Sequence, residues 1–109
     1  METTWRIVRI KRLPSTGLVI EVTYIMNFKL QSETDRKVGT VTLVGDVNDP
    51  NFIPFDELTE TIVTNWVKDE LGASNITSIE SSYQSLLQKR IDRKNNPEYL
   101  LGLPWSDNV

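Results

Sequence analysis

The chain has 109 residues, 39% hydrophobic and 25% charged, with five Gly, five Pro and a net charge of −3. That is the size of one independently folding domain able to bury about 65% of its unfolded surface, and the composition excludes a disordered or low-complexity chain. Cys and His are both absent, which excludes disulfides, thiol nucleophiles, thiolate or imidazole metal sites and any histidine-based triad.

The first predicted element is a strand from residue 4, carrying Trp5, Ile7, Val8 and Ile10 among charged residues. Its alternation is imperfect, which a bulge or contact on both faces would explain. Pro14-Ser15-Thr16-Gly17 reads as a turn, since Pro fixes φ and Gly supplies a positive φ. Leu18, Ile20, Val22, Tyr24, Met26 and Phe28 then fall on even positions, with Glu21, Thr23, Asn27 and Lys29 on odd ones. That pattern predicts a long strand with one buried face. The polar run 31–37 is expected to be a hairpin loop, followed by a third strand at 38–44 rich in β-branched residues. Short connections between three strands predict an antiparallel meander.

Residues 45–58 form a predicted connecting loop, because Asp46, Asn48, Asp49, Pro50 and Pro54 oppose regular structure. Phe52, Ile53 and Phe55 within it are expected to fold down over the sheet. The first helix is predicted over 59–71, with Thr59 as N-cap, Leu58 stapled against Val63, and Gly72 as terminator. Its apolar stripe is Ile62, Val63, Trp66, Val67 and Leu71. The second helix is predicted over 77–95, opened by a Thr77-x-x-Glu80 capping box. Its stripe is Ile76, Ile79, Tyr83, Leu86, Leu87 and Ile91, and Asn95-Asn96-Pro97 ends it. The expected fold class is α+β: a three-stranded antiparallel meander over 4–44, two helices packed on one face, and an extended apolar C-terminal tail over 97–109.

Charge is unevenly distributed. Residues 1–12 carry Arg6, Arg9, Lys11 and Arg12 against Glu2; residues 88–94 carry Lys89, Arg90, Arg93 and Lys94 against Asp92. Residues 45–70 carry Asp46, Asp49, Asp56, Glu57, Glu60, Asp69 and Glu70 against Lys68. An acidic patch and a basic patch follow, serving either as solvated faces or for head-to-tail or partner docking. The net charge gives no overall attraction to nucleic acid or an anionic membrane. Residues 1–15 are cationic and alternating, so no signal peptide is expected, and the longest apolar stretches, such as Leu18-Val19-Ile20, are too short to span a bilayer. A soluble protein made in a cytoplasm is the expectation.

Few residues carry chemistry. Asp56, Glu57 and Glu60 are the only carboxylate cluster suited to acid–base work, and the positive end of a helix accounts for them equally well. Asp46-Val47-Asn48-Asp49-Pro50 departs from a calcium loop at Pro50 and lacks the following Gly and Glu. No glycine-rich phosphate loop exists, and Arg6, Arg9, Lys11 and Arg12 have only Trp5 beside them for stacking, so nucleic acid is not the expected partner. No catalytic residue, metal or cofactor is expected. The tail carries Tyr99, Leu100, Leu101, Leu103 and Trp105, which must be buried in something. Trp105 either lids its own sheet or helix pair, or anchors in a neighbouring subunit.

These residues also carry a resemblance. Trp5, then Ser15-Thr16-Gly17-Leu18-Val19, Phe55-Asp56-Glu57-Leu58-Thr59-Glu60, Val63, Trp66-Val67 and Leu71-Gly72, resemble small proteins of tailed bacteriophages, notably those infecting cyanobacteria. Asn96-Pro97 and Gly102-Leu103-Pro104-Trp105 resemble that family's ending, so the likeness spans residues 5–105. It implies a phage setting and carries no catalytic or binding residues with it. With the absent chemistry and the segregated charge, it leads to the expectation of a non-enzymatic virion component of head, neck, tail or fibre. Its partners would be other protein subunits, a homo-oligomer being one arrangement, through Tyr99, Leu100, Leu101, Leu103, Trp105, Arg6, Arg9, Arg12, Arg93 and Lys94. The alternative is a small intracellular phage effector that binds and modulates a host protein.

Overall fold

The structure, a computed structural model, describes residues 1–96. Strands β1 (Glu2–Arg12), β2 (Val19–Leu30) and β3 (Glu33–Thr42) form one antiparallel sheet in the order β1-β2-β3. A 3-10 turn over Phe55–Glu57 precedes α1 (Glu60–Leu71) and α2 (Ala73–Asn95). Both helices pack on the same side of the sheet, α1 chiefly over β1 and α2 over β2 and β3.

The even-position reading of β2 holds through its centre, where Val22, Tyr24, Met26 and Phe28 are buried. It fails at the start, where Val19 is buried and Leu18 and Ile20 are only half-buried. The pairing shows why: Lys11 faces Glu21 but Arg12 faces Val19, so Ile20 is an extra residue that flips the side-chain phase. A second irregularity lies in β1, where Ile7 faces Tyr24 and Arg9 faces Thr23. Val8 is the bulged residue, which accounts for the broken alternation of the first strand.

The expected loop over 31–37 is instead a tight turn at Gln31-Ser32, with Leu30 paired to Glu33 and β3 already under way. Gln31 takes a φ of +55°, as the first position of a two-residue hairpin requires. The polar residues of early β3 sit in a strand because their inward members meet cations from α2. Lys94 Nζ meets the Glu33 carboxylate, and Arg90 lies 2.7 Å from Asp35 Oδ2. The turn before β2 is as expected: Gly17 has a φ of +74° and its N–H donates to the Leu13 carbonyl.

Thr59 caps α1, its Oγ1 accepting from the Ile62 N–H at 3.2 Å. Replacing it with Ala should cost about 1 kcal/mol, read as a lowered denaturant midpoint at unchanged slope. Gly72 ends α1 with a φ of +83° and is at the same time the residue that opens α2. The second helix therefore starts at Ala73, four residues earlier than its capping signature indicated. One left-handed residue suffices for the corner, and Asn75 Nδ2 donates to the Leu71 carbonyl that the break exposes. Glu80 closes no capping box; it accepts from Thr3 Oγ1 at 2.9 Å and ties α2 to β1.

The core lies between sheet and helices: Val22, Tyr24, Met26, Phe28, Val63, Val67 and Leu87 are almost completely buried. Phe28 stacks on Tyr83 with centroids 4.3 Å apart, and Trp5 tilts against Tyr24 at 5.7 Å. Leu86, assigned to the helix stripe by spacing, is 39% exposed, at the margin of that stripe. No helix of the described residues is long and apolar enough to cross a membrane.

Candidate functional site

With both helices on one side, the other side of the sheet is left without a covering layer among the described residues. Its outward positions follow from the register: Arg6, Arg9 and Lys11 on β1, Thr23, Ile25, Asn27 and Lys29 on β2, Arg36, Val38 and Thr40 on β3. Ile25 pairs directly with Val38, which is 55% exposed. Around this apolar centre stand Arg6, Arg9, Lys11, Lys29 and Arg36, against only Glu2 and Glu21. Lys11 lies 4.0 Å from Glu21, whereas the side-chain charges of Arg9, Lys29 and Arg36 have no carboxylate that near among the described residues.

The acidic surface is elsewhere on the body. Leu43 and Val44 after β3, Phe52 and Ile53 of the loop, and Trp66 of α1 line a cleft of about 270 Å³. Asp46, Asp49 and Asp69 stand around it. The loop is shaped by its own carboxylates: Asp46 Oδ1 accepts from the Asn48 N–H, and Asp49 Oδ1 from the Asn51 N–H. Val44 at its edge is 99% exposed. This cleft joins apolar walls to an acidic rim, as the open sheet face joins an apolar centre to a basic one.

The residues named from the sequence divide accordingly. Arg6 and Arg9 lie on the open face, though Arg6 Nε is 3.6 Å from Glu60 Oε2. Arg12 turns away, its guanidinium 3.6 Å above the centre of the Phe55 ring. Arg93 is exposed near the end of α2, and Lys94 is held by Glu33. The structure thus brings Arg6 and Arg9 together and separates them from Arg93 and Lys94. Tyr99, Leu100, Leu101, Leu103 and Trp105, with the tail assigned over 97–109, lie outside the described residues. Reading the sequence missed Ile25, Lys29, Arg36 and Val38 on the open face; the odd positions of β2 carried the signal. Trp5, the stacking candidate, packs on the opposite, helix-covered side.

Of the acid cluster, Glu60 is engaged: besides Arg6, its Oε2 accepts from the Ile7 N–H at 3.1 Å, satisfying an edge-strand donor. Asp35 is held below the usual carboxylate range, first by the Arg36 N–H donating to it and then by Arg90. Its folded value is lowered, so its contribution is present above the unfolded value and lost as pH falls through the folded one. Below about pH 4 the wild type should therefore lose stability more steeply than Arg90→Gln, which thermal melts across pH will show.

A family model described as a domain of unknown function, DUF7936, matches residues 1–105. No curated protein and no solved structure matches the chain.

Proposed function

The chain belongs to the DUF7936 family, and we propose that it is a non-enzymatic component of a tailed-phage particle that works by binding other protein subunits. The observation that supports this most is the open sheet face. The uncovered side of the sheet presents the Ile25–Val38 pair inside a ring of cations, the apolar-centre and polar-rim anatomy of a protein interface. The acidic cleft at another part of the surface has the same anatomy with the opposite sign. Glu60, the acid in the carboxylate cluster that faces a neighbouring strand, is used to hold that strand. The resemblance to phage proteins supplies the setting.

Mass spectrometry of purified particles, set against the cleared lysate they came from, tests this. Co-purification at constant ratio to a capsid or tail subunit is the expected result. Presence in the lysate alone would overturn it in favour of an effector acting on a host protein. Trp105→Ala is expected to reduce incorporation into particles with the melting temperature unchanged, as an anchor in trans requires.

A further inference from the structure

We infer that the two charged surfaces are made for each other: the open sheet face of one copy docks on the acidic cleft of the next. The inference rests on the binding reading above and names one partner, a second copy of this chain.

Both surfaces belong to one domain: the open face is the uncovered side of the sheet, and the cleft lies where the chain leaves β3 and meets α1. The open face carries Arg6, Arg9, Lys11, Lys29 and Arg36. The cleft carries Asp46, Asp49 and Asp69, with Glu70 next along α1. These four acids have no side-chain cation within 4 Å among the described residues, and the charged groups of Arg9, Lys29 and Arg36 have no carboxylate that near. Within one molecule the charges of the two surfaces are not paired with each other among the described residues. Between two molecules they can pair, and the apolar centres then meet: Ile25 and Val38 against Val44, Phe52 and Trp66. Charge complementarity of this kind fixes orientation and accelerates encounter, while the apolar centres supply the burial.

The other occupants fit less well. Two open faces packed together would set cations against cations, which repel. A nucleic acid needs aromatic platforms, and Trp5, Tyr24 and Phe28 are all on the helix-covered side. The segment 97–109 carries only Glu98 and Asp107 as charges, and its docking on the open face would leave the cleft without a partner. A contact between two different surfaces is heterologous, so repetition produces a ring or an open filament.

Sedimentation of the full-length chain and two charge variants tests this. Arg9→Glu/Arg36→Glu reverses the basic face and Asp69→Lys/Glu70→Lys the acidic one, all at exposed positions. At low ionic strength the wild type should grow in mass with concentration. In about 1 M salt, where charges are screened beyond about 3 Å, its association should weaken at least tenfold. Each variant alone should remain monomeric, because its two surfaces then carry the same sign, and an equal mixture should associate again, since the intact face of one meets the intact cleft of the other. A wild type that stays monomeric at low salt overturns the inference, as does a mixture that stays monomeric or a variant that associates undiminished. Single-stranded RNA bound by the wild type and lost in Arg9→Glu/Arg36→Glu, without self-association, overturns it in favour of nucleic acid. A monomeric chain that still co-purifies with particles would refute this inference alone; a self-associating chain absent from particles would refute the functional reading alone.

Discussion

Phe28→Ala is expected to destabilise the domain by about 3–5 kcal/mol, the largest single effect among the core positions. Phe28 is 1% exposed and stacks nearly parallel on Tyr83, with an interplanar angle of 14°. Truncation removes its transfer free energy, opens a cavity between β2 and α2, and abolishes a stacked pair worth about 0.5–1.5 kcal/mol. For a chain of this size, whose total stability is about 5–15 kcal/mol, the melting temperature should fall by at least about 12 °C. Phe28→Leu keeps most of the volume and should cost less than half as much. A drop below about 1 kcal/mol for Phe28→Ala, read by denaturant unfolding, would mean that α2 does not close the core as described.

Gly39→Ala is the second large effect, and its sign is informative. In an ordinary strand this change is favourable by about 0.5–1 kcal/mol, because Gly loses more backbone freedom on folding. Here Gly39 pairs with Tyr24 across the β2–β3 ladder, and the ring of Tyr24 lies over it. An added Cβ would come within 2.5 Å of Cζ and 2.9 Å of Cε1, and closer still to Oη. Tyr24 is 2% exposed and hemmed in by the core, so the ring has nowhere to go. Overpacking of about 1–3 kcal/mol should result. In the double variant with Tyr24→Leu, the loss should fall well short of the sum of the two single losses. Burial also pushes the Tyr24 phenol above its ordinary value. Its folded value is raised, so the stability it lends is complete below the unfolded value and lost as pH rises through the folded one.

Much of this fold was legible in the chain because its signals are local. The period of two across Val22, Tyr24, Met26 and Phe28, the Pro14–Gly17 turn, the Thr59 cap and the Gly72 stop each act through neighbours in sequence. The misreadings share a cause of the opposite kind. Residues 33–37 look like a loop because they are polar, and they form a strand because Arg90 and Lys94, more than fifty residues away, neutralise Asp35 and Glu33. The cations at the end of α2 could be credited to the helix dipole without the sheet being considered. Similarly, Thr77 and Glu80 match a capping box, yet Glu80 is claimed by Thr3 and the helix starts at Ala73. The surfaces were half visible. Segregated charge was plain from the counts, but the grouping of Arg9 with Lys29 and Arg36 depends on register, which runs through a bulge at Val8.

On the proposed function, the side of the sheet left open is an interface when the protein is at work. Acetylation footprinting of Lys11 and Lys29 in intact purified particles, set against the dilute isolated chain, tests it most directly. Both lysines should label readily in isolation and be protected in the particle, with Lys89 on the outer side of α2 labelled equally in both. Equal labelling of all three lysines in the two states would contradict it.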